Sequence, residues 1–173
     1  ILDRAIETPQ PTLADLVRAT AYVVPALEIV GSRIADWKIS IFDTVADNAS
    51  SGLFVLGGTA RRLEGLDLES CRMEMRRDGA EVSTGTGSAC LGHPLNAAIW
   101  LAGTMAARGE PLGEGDIVLT GALGPLAPVA PVDRFGSQSQ GLARVTGGFP
   151  HRPITSSLSP RARSLYLPSP SPP

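Results

Sequence analysis

Apolar residues in this chain come in short blocks, and the spacing inside each block changes from one segment to the next. Thr12 precedes Leu13, Leu16 and Val17, the i, i+3, i+4 stripe of a short helix, and Asp15 is placed to close a capping box on Thr12. Residues 21–30 are apolar and rich in β-branched side chains, which predicts a strand with Val24, Ala26, Glu28 and Val30 on one face. Residues 53–56 predict a second short buried strand. Arg72, Glu74 and Arg76 then alternate with Met73 and Met75, Asp78-Gly79 supplies a turn, and residues 80–83 return as the other arm of a hairpin. Gly85, Gly87 and Gly92 predict a flexible loop. Pro94 opens a helix to about Arg108, with Leu95, Ala98, Ile99, Leu101 and Ala102 on its apolar face. Gly113-Glu114-Gly115-Asp116 predicts a turn, and residues 117–120 a strand.

One polar residue breaks this pattern. Glu28 sits inside an apolar run, and a dense polar segment, residues 43–51, follows it. A carboxylate among apolar neighbours is costly to bury unless it is paired or bound to a metal. Two readings stand open: an ion pair, with Arg33 as the nearest cation, or a metal ligand.

Composition changes the picture in a few places. The length of 173 residues fits one domain with an extension, and 43% hydrophobic residues suffice for a core. A net charge of −2 favours neither nucleic acid nor an anionic membrane as a partner. The two cysteines, Cys71 and Cys90, lie far apart and fit free thiols in a reducing, cytoplasmic setting. No apolar run is long enough to span a bilayer, and no secretory signal opens the chain, which begins at Ile1 and reads as a fragment. From Arg134 onward there is no Asp or Glu, while five arginines occur. Residues 150–173, mostly Pro, Ser and Arg, predict a disordered tail after a partial domain over residues 1–149.

Several other patterns have ordinary readings. Asp47-Asn48-Ala49-Ser50 suits a turn or helix cap as well as a site. The same residues match a glycosylation pattern that has no secretory context. The glycine loop before Pro94 lacks the residues of a phosphate loop and serves mainly as a connection. Cys90 and His93 have no second ligand pair, so zinc is not expected, and His93 reads as a cap or packed side chain. Ser88 lies in no nucleophile elbow.

At PALEIVGSRIADWKI and DTVADNASSGLFVLGG, and again at GTGSACLGHPLNAAIWLA and PLGEGDIVLTGALGPLAPV, the sequence resembles the 2-keto-4-pentenoate hydratases of the fumarylacetoacetate hydrolase superfamily. The resemblance implies an α+β fold, a mixed β-sandwich or roll with flanking helices. It implies a hydro-lyase adding water to 2-hydroxypenta-2,4-dienoate (2-oxopent-4-enoate) to give 4-hydroxy-2-oxopentanoate in the meta-cleavage catabolism of aromatic compounds. The nearest alternative is the related 2-oxo-3-hexenedioate (4-oxalocrotonate) decarboxylase. A third reading is a non-catalytic fragment that keeps only the scaffold. The implied cofactor is a divalent metal, Mg2+ or Mn2+, held by three carboxylates. Glu28 matches the third. The other two belong to a Glu-x-Glu motif upstream, whose place this chain does not include, so weak metal binding is expected. The resemblance further makes Asp47 and Asn48 the catalytic candidates, and Ser50, Thr120 and Arg33 the substrate-binding ones. It implies a 2-oxo acid substrate, a homo-oligomer, and a decarboxylase or aldolase as partner enzyme. Residues 134–149 give only a blurred version of the family's closing strand pair, and the acid-free continuation reads as translation of a shifted frame.

Overall fold

A computed structural model describes residues 1–150 and the short strand Ala162–Ser164; the rest of the expected tail lies outside the described residues. Helix α1 (Leu13–Ala19) starts where expected, with the Thr12 side chain accepting from the Asp15 N–H and the Asp15 carboxylate accepting from the Thr12 N–H. Its buried side is Leu16 and Ala19, whereas Leu13 and Val17 stay 53% and 45% exposed, so the apolar stripe is narrower than the spacing suggests. The predicted strand over 21–30 shortens to β1 (Ala26–Val30), which pairs antiparallel with β2 (Ser51–Leu56) and places Glu28 opposite Phe54. Between them lies α2 (Ile41–Ala46), capped by Ser40 and Asp43 in the same reciprocal way as α1, with none of its residues buried.

The hairpin forms as predicted and runs longer. Strands β3 (Arg72–Arg77) and β4 (Ala80–Thr86) join through Asp78 and Gly79, both at positive φ (49° and 90°), the left-handed pair that a two-residue turn of this hand requires. The flexible glycine loop is a correction. Gly85 belongs to β4, and residues Gly87–Ala89 form a tight 3-10 turn. A β-carbon on Gly85 would lie 1.7 Å from the Leu123 carbonyl oxygen. The glycine is there for close backbone approach, not for motion.

Helix α3 (Pro94–Ala107) opens on Pro94, and the His93 ring nitrogen Nδ1 caps it by accepting from the Leu95 N–H at 3.0 Å. Its buried face is Ala97, Ala98, Leu101, Ala102 and Gly103. Leu2, Ile6, Leu16, Ala19 and Leu112 close around that face to make the main core. Strand β5 (Ile117–Leu119) follows and sends Val118 against the same core.

The segment past Asp133 forms a strand pair. Strand β6 (Arg134–Ser139) inserts between β3 and β7 (Arg144–Gly148), giving a four-stranded antiparallel sheet in the order β4-β3-β6-β7. Phe135 and Val145 from this pair are buried, and Phe135 meets Phe149 edge to face at 5.8 Å. Strand β7 borders the β1–β2 ribbon, and β8 (Ala162–Ser164) runs parallel to β5. The mixture of sheets and packed helices is the expected α+β class.

Candidate functional site

The β1–β2 ribbon walls one side of a cavity of about 490 Å³. Met73 and Phe149, with Leu95 at the start of α3 and Thr120 after β5, contribute to the rest of the wall. Glu28 and Thr120 bring polar groups to a lining that is otherwise mostly apolar. Glu28 is half-buried rather than sealed in the core, because its strand faces the cavity. The chain turns at Thr120–Gly121 against Cys90, whose thiol donates to the Thr120 carbonyl oxygen. Burial pushes the Cys90 thiol above its ordinary range, against the opposing effect of that hydrogen bond.

A second cluster sits one residue beyond the cavity, where β1 and β2 pair at Val30 and Ser51. Asp47 closes α2, and its carboxylate accepts from the Arg33 N–H at 3.0 Å, the Ser32 hydroxyl at 3.2 Å and the Ser50 hydroxyl at 3.3 Å. The Arg33 guanidinium pairs with the same carboxylate at 3.2 Å and also donates to the backbone oxygens of Asp47 and Ser51. The Asp47 side chain is only 10% exposed. The Arg33 N–H, the Ser32 and Ser50 hydroxyls and the Arg33 charge all hold its carboxyl below the usual range, outweighing the opposing effect of desolvation.

The turn that follows is strained. Asn48, Ala49 and Ser50 stand at φ 51°, 56° and 55°, three left-handed residues in succession without a glycine. Each such residue costs about 1–2 kcal/mol relative to the right-handed form. The turn persists because its surroundings fix it, with Ser50 N–H donating to the Asp47 oxygen and Gly31 N–H to the Ser50 oxygen. Asn48 is exposed at its apex and Ser50 is buried beneath it.

The candidates named from sequence therefore fall into two groups. Glu28 and Thr120 share the cavity wall, while Arg33, Asp47, Asn48 and Ser50 share the strained turn beside it. Sequence reasoning missed Ser32, which donates to Asp47 and accepts from the Ile34 N–H at 3.0 Å. Its signal was a Gly-Ser pair directly after a strand, a common turn composition that names no partner. Among the described residues no three His, Cys, Asp or Glu side chains come together. These residues alone do not fit a divalent-metal centre, for which Glu28 would be a single carboxylate.

Residues 7–148 match the fumarylacetoacetate (FAA) hydrolase C-terminal family. The chain belongs to that family. As an FAA hydrolase-type chain, it is 58% identical over 149 residues to 2-keto-4-pentenoate hydratase 1 of Dechloromonas aromatica (strain RCB), covering 86% of this chain and 57% of the relative. It is 45% identical over 142 residues to the 2-hydroxyhexa-2,4-dienoate hydratase of Comamonas testosteroni, covering 82% of this chain and 54% of that one. Among solved structures it is similar to 4-oxalocrotonate decarboxylase from Pseudomonas putida G7, complexed with magnesium and adipate, with TM-score 0.81 and 37% identity over 86% of this chain and 57% of the other. The chain thus spans just over half the length of these relatives. The FAA hydrolase match takes in β1 to β7, the strained turn and the cavity wall apart from Ile1, Leu2 and Phe149.

Proposed function

We propose that this chain carries the core of a hydro-lyase that adds water to 2-hydroxypenta-2,4-dienoate, giving 4-hydroxy-2-oxopentanoate. The observation that carries the reading is the cavity, with Glu28 and Thr120 in an otherwise largely apolar wall, in a chain this similar to hydratases. In the reaction a proton goes to C5 of the dienol as the 2-hydroxyl becomes a ketone. Water then bonds to C4 and its proton passes to C3. The apolar wall would hold the hydrocarbon end and limit bulk water. The Thr120 hydroxyl and the Asn48 amide would donate to the substrate's carboxylate and 2-oxo oxygen, and Glu28 would be one arm of a Mg2+ or Mn2+ site. The described residues by themselves do not complete a centre for that metal.

The likeness to a decarboxylase with a dicarboxylate bound supports a second reading, loss of CO2 from 2-oxo-3-hexenedioate. Turnover of both substrates in the presence of Mg2+, followed by product chromatography and CO2 release, separates them. Glu28→Gln and Thr120→Val should abolish or sharply reduce whichever activity is present. A folded chain that turns over neither substrate overturns both readings and leaves the non-catalytic scaffold. The homo-oligomer and the decarboxylase or aldolase partner are also proposals. Ile41, Phe42 and Val45 of α2, 65%, 82% and 75% exposed, support an oligomer. Two free, buried thiols support a cytoplasmic setting. Among the described residues no helix is long and apolar enough to cross a membrane.

A further inference from the structure

The Asp47 carboxylate is already engaged. The Arg33 N–H and the Ser32 and Ser50 hydroxyls donate to it, and the Arg33 guanidinium pairs with it. A base for moving substrate protons needs an accessible lone pair and a pKa near working pH. Asp47 has neither, being nearly covered and held acidic by its donors. Arg33, the anion-binding candidate, directs its guanidinium to Asp47 and to the Asp47 and Ser51 backbone oxygens. All of these bonds except the one from Ser50 tie residues 32–33 to the segment from Asp47 to Ser51, and the Ser50 bond closes that segment on itself, across a left-handed turn that three non-glycine residues would not adopt unaided.

We infer that Ser32, Arg33 and Asp47 are positioning residues that lock Asn48–Ser50 in its left-handed form and so present the Asn48 amide to a 2-oxo acid. This rests on the hydratase reading for the ligand and deepens it by moving Asp47 from the catalytic candidates, and Arg33 and Ser50 from the substrate-binding ones, to the lock. Arg33 is the charged group facing Asp47, while Asp43 of α2 meets it only through a backbone oxygen that accepts from the Asp47 N–H at 2.8 Å.

The test uses the whole chain, with Mg2+ and the unreactive analogue 2-oxopentanoate, followed by NMR. In Asp47→Asn and Arg33→Lys, amide exchange at Gly31, Arg33 and Ser50 should rise roughly tenfold or more, with the β3 and β6 amides unchanged as the internal check on folding. The dissociation constant for 2-oxopentanoate should rise by a similar factor. In the unaltered chain affinity should fall as acid titrates Asp47, and in Asp47→Asn that dependence should vanish. Unchanged exchange in both variants, or faster exchange with unchanged affinity, overturns this inference alone. Failure of the unaltered chain to bind 2-oxopentanoate overturns it together with the hydratase reading.

Discussion

Asp47 shows how a residue's neighbours set what it can do. Its carboxyl titrates below the ordinary range, so the lock should stabilise the fold above the ordinary Asp value and weaken as pH falls through the depressed one. Denaturant midpoints measured from neutral to acid pH should therefore drop in that window, and the drop should be smaller in Asp47→Asn. The polar run holding Asp47, Asn48 and Ser50 was visible in the sequence because it interrupts apolar blocks. Its partner Ser32 was not, because it lies fifteen residues away along the chain and meets Asp47 only when β1 and β2 pair. Gly85 teaches the same point from the other side. A glycine read as freedom is a contact, since a β-carbon there would strike the Leu123 carbonyl. Gly85→Ala should cost about 1–3 kcal/mol or more in urea unfolding, as forced overpacking does.

At the scale of elements, the ends were more legible than the faces. Caps are local chemistry: Thr12 with Asp15, Ser40 with Asp43, and His93 before Pro94 all act within a few residues of the backbone they satisfy. Thr12→Ala should destabilise the chain by about 1 kcal/mol, read from thermal or urea unfolding, because one N–H of α1 loses its acceptor. Faces depend on what lies opposite. The α1 stripe narrowed to Leu16 and Ala19 because α3 and Leu2, Ile6 and Leu112 cover only that side. The segment 134–149 gives only a blurred version of a closing strand pair in the sequence, yet it forms β6 and β7, with Ser137 and Ser139 buried on β6. Small hydroxyl side chains fit between strands that satisfy the backbone on both edges, and periodicity alone does not reveal a central strand of this kind.

For the whole molecule, the fold can be described apart from the completeness of its site. Residues 7–148 carry the family match, and α1 and α3, with Leu2 and Ile6 ahead of it, close the core, while the carboxylate expected at a metal is Glu28. Titration calorimetry of the 173-residue chain should show Mg2+ binding that is weak or absent, because a strongly hydrated ion held by one carboxylate keeps most of its water. Tight stoichiometric binding would show that other residues complete the centre. The α+β class was within reach of the sequence as what the family motifs imply, and the helix caps and the Asp78-Gly79 turn were legible because each is written in residues close together along the chain. Which candidates share a cavity and which share a lock was decided only in three dimensions. Those groupings depend on the pairing of β1 with β2 and on the packing of the sheet and α3, contacts between residues far apart in the chain.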